Sequence, residues 1–119
     1  MTDFSVTAEI LSDGLTVIHV SGEIDVFTAS RLKEAVNERI DAGEVRLAID
    51  LSDTDYLDST ALGALIGALK RCRDLGGEVV VAGPPQRISR VMQITGLDKV
   101  LQLQPTLDQA CALLRGPGK

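Results

Sequence analysis

A hydroxyl flanked by carboxylates is the chemistry this chain offers most plainly. Asp58-Ser59-Thr60-Ala61-Leu62-Gly63 follows an apolar run, Arg46 to Leu51, and a polar connection, Ser52 to Leu57. It opens a helical pattern in which Leu62, Leu65, Ile66 and Leu69 recur at spacings of three and four. Asp58 suits an N-cap, because its carboxylate can accept from the unpaired N–H groups of the first turn. Ser59 is then the first helical residue, with its hydroxyl at the exposed rim. A helix N-terminus tolerates added negative charge there, so the position suits a phosphate. The same residue types also start helices that carry no chemistry, and the local pattern alone leaves both readings open.

Other chemistries lack their parts. Hydrolysis by a serine nucleophile needs a base and an oxyanion site, yet no G-x-S-x-G surrounds Ser59 and the single histidine, His19, falls in a strand pattern. No Cys, Asp or Glu stands at ligand spacing from His19, which reads as structural or solvated. Neither a Walker A loop nor a G-x-G-x-x-G is present. Cys72 and Cys111 sit in apolar helical stripes and read as free thiols. The chain is therefore expected to hold no catalytic residue, no cofactor and no metal. A net charge of −5 argues against a nucleic-acid partner and against anionic lipid. Met1-Thr2-Asp3 opens no signal peptide and no apolar run reaches the ~20 residues of a membrane span, which makes a cytoplasmic protein the expectation.

The elements that position Ser59 follow from periodicity. Phe4 to Ile10 alternates as a strand, Ser12-Asp13-Gly14 turns it, and Leu15 to Val20 returns. Ser21 to Asp25 then leaves the strand. Asp25 lies just past that strand end, where carboxylates form turns and where sites gather. A helix follows with Ala29, Leu32, Ala35, Val36 and Ile40 on one face, Thr28 as its cap and Gly43 as its stop. Arg46 to Leu51 is the third strand and the Ser59 helix runs to Gly76-Gly77. Glu78 to Ala82 is a strand buried on both faces. Ile88, Val91 and Met92 mark a short helix ending at Gly96, and Lys99 to Leu103 a short strand. Thr106-Leu107-Asp108-Gln109 is a capping box for the last helix. The order predicts one α/β domain over residues 1–114 and a flexible tail over 115–119. Its mixed, mostly parallel five-stranded sheet has an N-terminal antiparallel hairpin and about four helices packed on it. Two interior glycines, Gly63 and Gly67, weaken the Ser59 helix by about 1 kcal/mol each relative to alanine. Either a close approach to the sheet or a shallow surface for a partner's backbone would account for them.

Three segments together identify a family. Gly22-Glu23-Ile24-Asp25 with Thr28-Ala29, then Leu57-Asp58-Ser59-Thr60-Ala61-Leu62-Gly63, then Ile94-Thr95-Gly96-Leu97 resemble, in order and spacing, the anti-sigma-factor antagonist (STAS) family. The fit is to the actinobacterial type, whose site reads D-S-T-G-L-G. The resemblance covers nearly the whole chain and implies a function. Such proteins bind an anti-sigma factor that is also a serine-protein kinase, release a sigma factor, and are switched off by phosphorylation. A PP2C-type phosphatase restores them. Carried across, Ser59 is the phosphoacceptor with Thr60 as the fallback, and Asp25, Asp58, Thr60, Ala61 and Gly63 flank it in the partner-binding surface. Ala61 stands where most relatives have glycine, and its methyl is expected to narrow access to the hydroxyl. A non-phosphorylated STAS subunit of another assembly, such as a lipid-transport ABC system, is the alternative. The domain is expected to be a monomer or weak dimer.

Overall fold

The structure, a computed structural model, describes residues 3–11 and 13–116. The strands β1 (Ser5–Ile10), β2 (Thr16–Ile24), β3 (Arg46–Leu57), β4 (Glu78–Ala82) and β5 (Gln102–Gln104) lie side by side in sequence order. β1 and β2 are antiparallel and every later pair is parallel, the mixed sheet that the element order implies. The period-two alternation of the strands sorts side chains into two cores. Ile18, Leu47, Ile49, Leu51, Val79 and Val81 face one; Val17, Ala48, Val80 and Ala82 face the other. The helices α1 (Ala29–Asp41), α2 (Ser59–Asp74) and α3 (Gln86–Ile94) cover the first, and α4 (Leu107–Arg115) covers the second.

The helices begin and end largely where their residues dictate. The Thr106 hydroxyl accepts from the Gln109 N–H at 3.1 Å to cap α4, and Gly43, at φ +91°, ends α1. Thr28 occupies the N-cap position of α1 but does not cap it through its side chain. Cys72 and Cys111 are buried free thiols, and burial pushes the Cys72 thiol to about 11.

Four boundaries differ from the sequence reading. β2 continues through Ser21 to Ile24, and β3 continues through Ser52 to Leu57, where a loop was expected. These two segments pair with each other, Ser21 with Asp53 and Ile24 with Leu57, so their backbone groups are satisfied despite the polar composition. The last strand begins at Gln102; Leu97–Lys99 form a 3-10 turn, and Leu101 is buried between the two. Arg115 belongs to α4 and its guanidinium pairs with Asp13, placing it within the helix. Ser12 and residues 117–119 of the anticipated turn and tail lie outside the described residues.

Strand pairing also gives His19 neighbours that spacing did not show. Asp50 Oδ2 accepts from its Nδ1 at 2.9 Å and Glu9 Oε1 lies 3.4 Å from Nε2. Burial alone would lower the pKa of His19, but the hydrogen bonds and charges of Asp50 and Glu9 outweigh it and raise it above the ordinary 6.5. A raised histidine pKa contributes stability that is complete below about 6.5 and is lost as pH rises through the folded value. The Asp50 carboxyl, which burial pushes up, is held below its usual range by Ser52 and His19; its share is lost only on acidification. Thermal melts should therefore show stability declining as pH rises from 6 to 9, with a smaller decline in His19→Gln. The partial exposure of His19 keeps the difference within about 0.2–1 kcal/mol.

Candidate functional site

The C-terminal ends of β2 and β3 lie side by side, and the residues that follow them carry the candidate site. β3 runs on from Asp50, the last of its residues paired with β4, to Leu57, and only β2 accompanies it. The two strands project as a ribbon past the rest of the sheet. Register shifts between His19 and Ser21 and between Gly22 and Glu23 accommodate extra residues of β3. Val20, skipped in that register, has its carbonyl taken by the buried Thr54 hydroxyl at 2.9 Å.

Asp58 caps α2 as its type and position dictate. Its backbone is extended, at φ −104° and ψ −174°, and its Oδ1 accepts from the Ala61 N–H at 3.0 Å. Its own N–H donates to the Ile24 carbonyl at 3.1 Å, which ties the helix start to the end of β2. Asp58→Ala should cost about 1 kcal/mol, within the 0.5–2 found for cap removal, and urea denaturation should read it directly.

Ser59 is the first residue of α2; it is exposed, and its hydroxyl makes no hydrogen bond among the described residues. Thr60 is exposed beside it. Ala61 corrects an expectation: it is 0% exposed, packed in the first core with Leu65 and Ala68. Its methyl therefore points away from the Ser59 surface. It neither narrows access to the hydroxyl nor offers a contact to a partner.

Asp25 organises the other loop. Its Oδ1 accepts from the Phe27 N–H at 2.9 Å, the Thr28 N–H at 3.0 Å and the Thr28 hydroxyl at 3.2 Å. The Thr28 N–H above all, against a smaller opposing effect of desolvation, holds its carboxyl below the usual range. Thr28 makes no cap bond of its own because its hydroxyl is engaged on this loop, accepting from the Asp25 N–H at 2.9 Å and donating to the Glu23 carbonyl at 2.9 Å. The two residues after Asp25 are exposed despite their apolar side chains, Val26 at 59% and Phe27 at 81%.

Those side chains belong to a rim that sequence reasoning missed. Tyr56, just before the cap, is 51% exposed and shares a small recess with Val91 of α3. Ile94, one turn further on, is 78% exposed. Val26 and Thr60 line another recess, between α1 and α2. An acidic chain with few aromatics thus places two of its three aromatic side chains, Phe27 and Tyr56, in the open beside a free hydroxyl. Exposed apolar groups clustered in this way mark a surface for another protein. The signal in the sequence was the position of Val26 and Phe27 just after β2 and of Tyr56 at the end of β3, at the strand ends where sites collect.

Gly63 and Gly67 are exposed in the middle of α2, and a Cβ built on either would meet nothing within 4 Å. A close approach to the sheet is therefore not their reason. They open a shallow surface. Among the described residues no cluster of three or more His, Cys, Asp or Glu is arranged to hold a metal, and no helix is long and apolar enough to cross a membrane.

Comparison with known proteins places this geometry among relatives. Residues 8–110 match the model of the STAS domain family. The anti-sigma-B factor antagonist of Listeria monocytogenes is 39% identical over 87 residues, covering 73% of this chain and 76% of that protein. The crystal structure of an anti-sigma factor antagonist from Mycobacterium paratuberculosis is similar with a TM-score of 0.79 and 38% identity, over 95% of each chain. The anti-sigma factor antagonist SpoIIAA in its unphosphorylated form shares the fold at 18% identity, with a TM-score of 0.73 over 94% of this chain and 99% of that one. Its phosphorylated form from Bacillus scores 0.72 at 19% identity over 93% and 100%.

Proposed function

The chain belongs to the STAS domain family, and on that footing we propose that it is an anti-sigma-factor antagonist. It binds an anti-sigma factor that is also a serine-protein kinase, so releasing a sigma factor, and is inactivated when that kinase phosphorylates Ser59. The observation that carries the reading is the free, exposed Ser59 hydroxyl at the N-terminus of α2, with the exposed side chains of Val26 and Phe27 in the loop after β2 and of Tyr56 at the end of β3. The chain is thus a substrate and ligand of other proteins and not a catalyst, acts in the cytoplasm as a monomer or weak dimer, needs no cofactor, and is reset by a PP2C-type phosphatase. The likeness to relatives named anti-sigma factor antagonists supports the assignment.

Physical chemistry supplies the switch. Phosphorylation adds about −1.5 to −2 charges. Within the free domain the helix N-terminus favours that charge by roughly 0.3–1 kcal/mol, and Asp58 opposes it by a similar order. The fold should barely respond. At a dehydrated interface an uncompensated charge costs several kcal/mol. Asp25 and Asp58 in this scheme hold the two loops that flank the hydroxyl, while Thr60 and Gly63 extend the contact surface along α2.

Intact-mass analysis of protein purified from its host tests the assignment. One phosphate should be present on part of the wild-type protein, removable by phosphatase and absent from Ser59→Ala. A modification that persists in Ser59→Ala, or never occurs in native material, would count against it.

A further inference from the structure

Between α1 and α2 runs an open groove of about 460 Å³, which starts at Val26 and Thr60 and ends at Arg71. We propose that this groove receives an acidic amphipathic helix of the anti-sigma kinase, so that the contact surface extends from Ser59 along the whole length of α2. The inference rests on the reading of Ser59 as a partner-binding switch and specifies what part of the partner lies beside it.

Three observations select that occupant. The first is shape: Gly63 and Gly67, with nothing near their missing side chains, lower one wall of the groove to the level of the α2 backbone. A helix can approach such a wall closely. From Thr60 to Arg71 the groove spans ~16 Å at 1.5 Å per residue, the length of about three turns of a docked helix. The second is charge. The chain has 17 acidic and 12 basic residues, yet the charged residues lining the groove are Lys33 and Arg71, with no acidic one. Arg71 is held by Asn37 at 2.7 Å and Asp41 at 2.9 Å. Lys33 is exposed and makes no ion pair among the described residues, so it is available to a carboxylate of the incoming helix. The third is continuity: Val26 belongs both to the groove mouth and to the exposed apolar group beside Ser59, and Thr60, also at the mouth, directly follows Ser59.

The placement also gives the phosphate a second means of action. A dianion on Ser59 stands next to the groove mouth and repels an acidic helix entering there, in addition to its desolvation at the rim.

Binding is measured between the unphosphorylated protein and the anti-sigma kinase, encoded in the same genome, that transfers phosphate to it from ATP. Gly67→Leu, which fills the groove without meeting a neighbour, should melt no lower than wild type and bind at least tenfold more weakly. Lys33→Glu, a surface change that leaves folding alone, should also weaken binding about tenfold. Lys70→Glu, the same charge reversal on α2 outside the groove, should bind as wild type. Wild-type affinity in both groove variants, with Ser59→Asp still losing binding, overturns the groove proposal and leaves the switch intact. Undiminished binding by Ser59→Asp overturns the switch instead. If Gly67→Leu dissolves a homodimer and leaves kinase affinity unchanged, a second copy of this chain is the occupant and the proposal fails.

Discussion

Ser59→Asp is expected to lower affinity for the anti-sigma kinase by two to three orders of magnitude, and Ser59→Ala to retain it within a few fold. The side chains around Ser59 decide this contrast. Val26, Phe27 and Tyr56 stand exposed at the ends of β2 and β3, and their burial against a partner removes water from the position of the hydroxyl. A carboxylate desolvated there without a counter-ion costs several kcal/mol. At 1.4 kcal/mol per decade, a penalty of ~3–4 kcal/mol gives the stated loss. Deleting the oxygen leaves no charge and only a methyl in place of an unbonded hydroxyl. In the free protein neither substitution touches a contact, because the Asp58 cap accepts from Ala61 and not from Ser59. Titration calorimetry and thermal melts together read the outcome: a large change in Kd with a Tm shift of no more than a few degrees. A Ser59→Asp protein that binds as tightly as Ser59→Ala would remove the switch from this position.

Gly22→Ala should damage the fold in two ways at once, through backbone conformation and through overlap. Gly22 is buried at the second register shift of β2, with φ +88°. An added Cβ would lie 2.5 Å from the Asp3 carbonyl oxygen and 3.0 Å from the Phe4 Cα, both backbone atoms. The left-handed conformation alone strains a residue with a side chain by about 1–3 kcal/mol, and overpacking against backbone adds about 1–3 more. The midpoint of thermal unfolding should fall on the order of 10 °C. The site suffers with the fold, because Gly22 lies two residues before Ile24, whose carbonyl accepts from the Asp58 N–H. A melting temperature within two or three degrees of wild type would mean that the β2 bulge is not rigid and relaxes to admit the methyl.

How far these features could be read in advance depended on the range of the forces involved. The Asp58 cap was legible because capping is decided within four residues. The burial of Ala61 was also within reach, since it precedes Leu65 by four and Ala68 by seven and so shares their buried face. The family pattern, which places glycine there, drew attention to the hydroxyl and away from the helix phase. The overhang of β2 and β3 was not legible. Ser52-Asp53-Thr54-Asp55-Tyr56 has the composition of a loop, and only pairing with residues some 30 positions earlier makes it a strand. His19 was placed on its strand correctly but without its partners, because Asp50 is 31 residues away in the chain.

Periodicity, caps and turn residues, all local, specified this protein's elements, their order and the hydroxyl at the head of α2. Pairing and packing decided the rest: the ribbon that carries Ser59 beyond the sheet, the exposed apolar side chains beside it, and the open wall at Gly63 and Gly67. The division has one physical cause. A capping bond depends on residues within a turn of one another, whereas an exposed surface is whatever the folded chain leaves uncovered, and that is settled only when every distant segment has found its place.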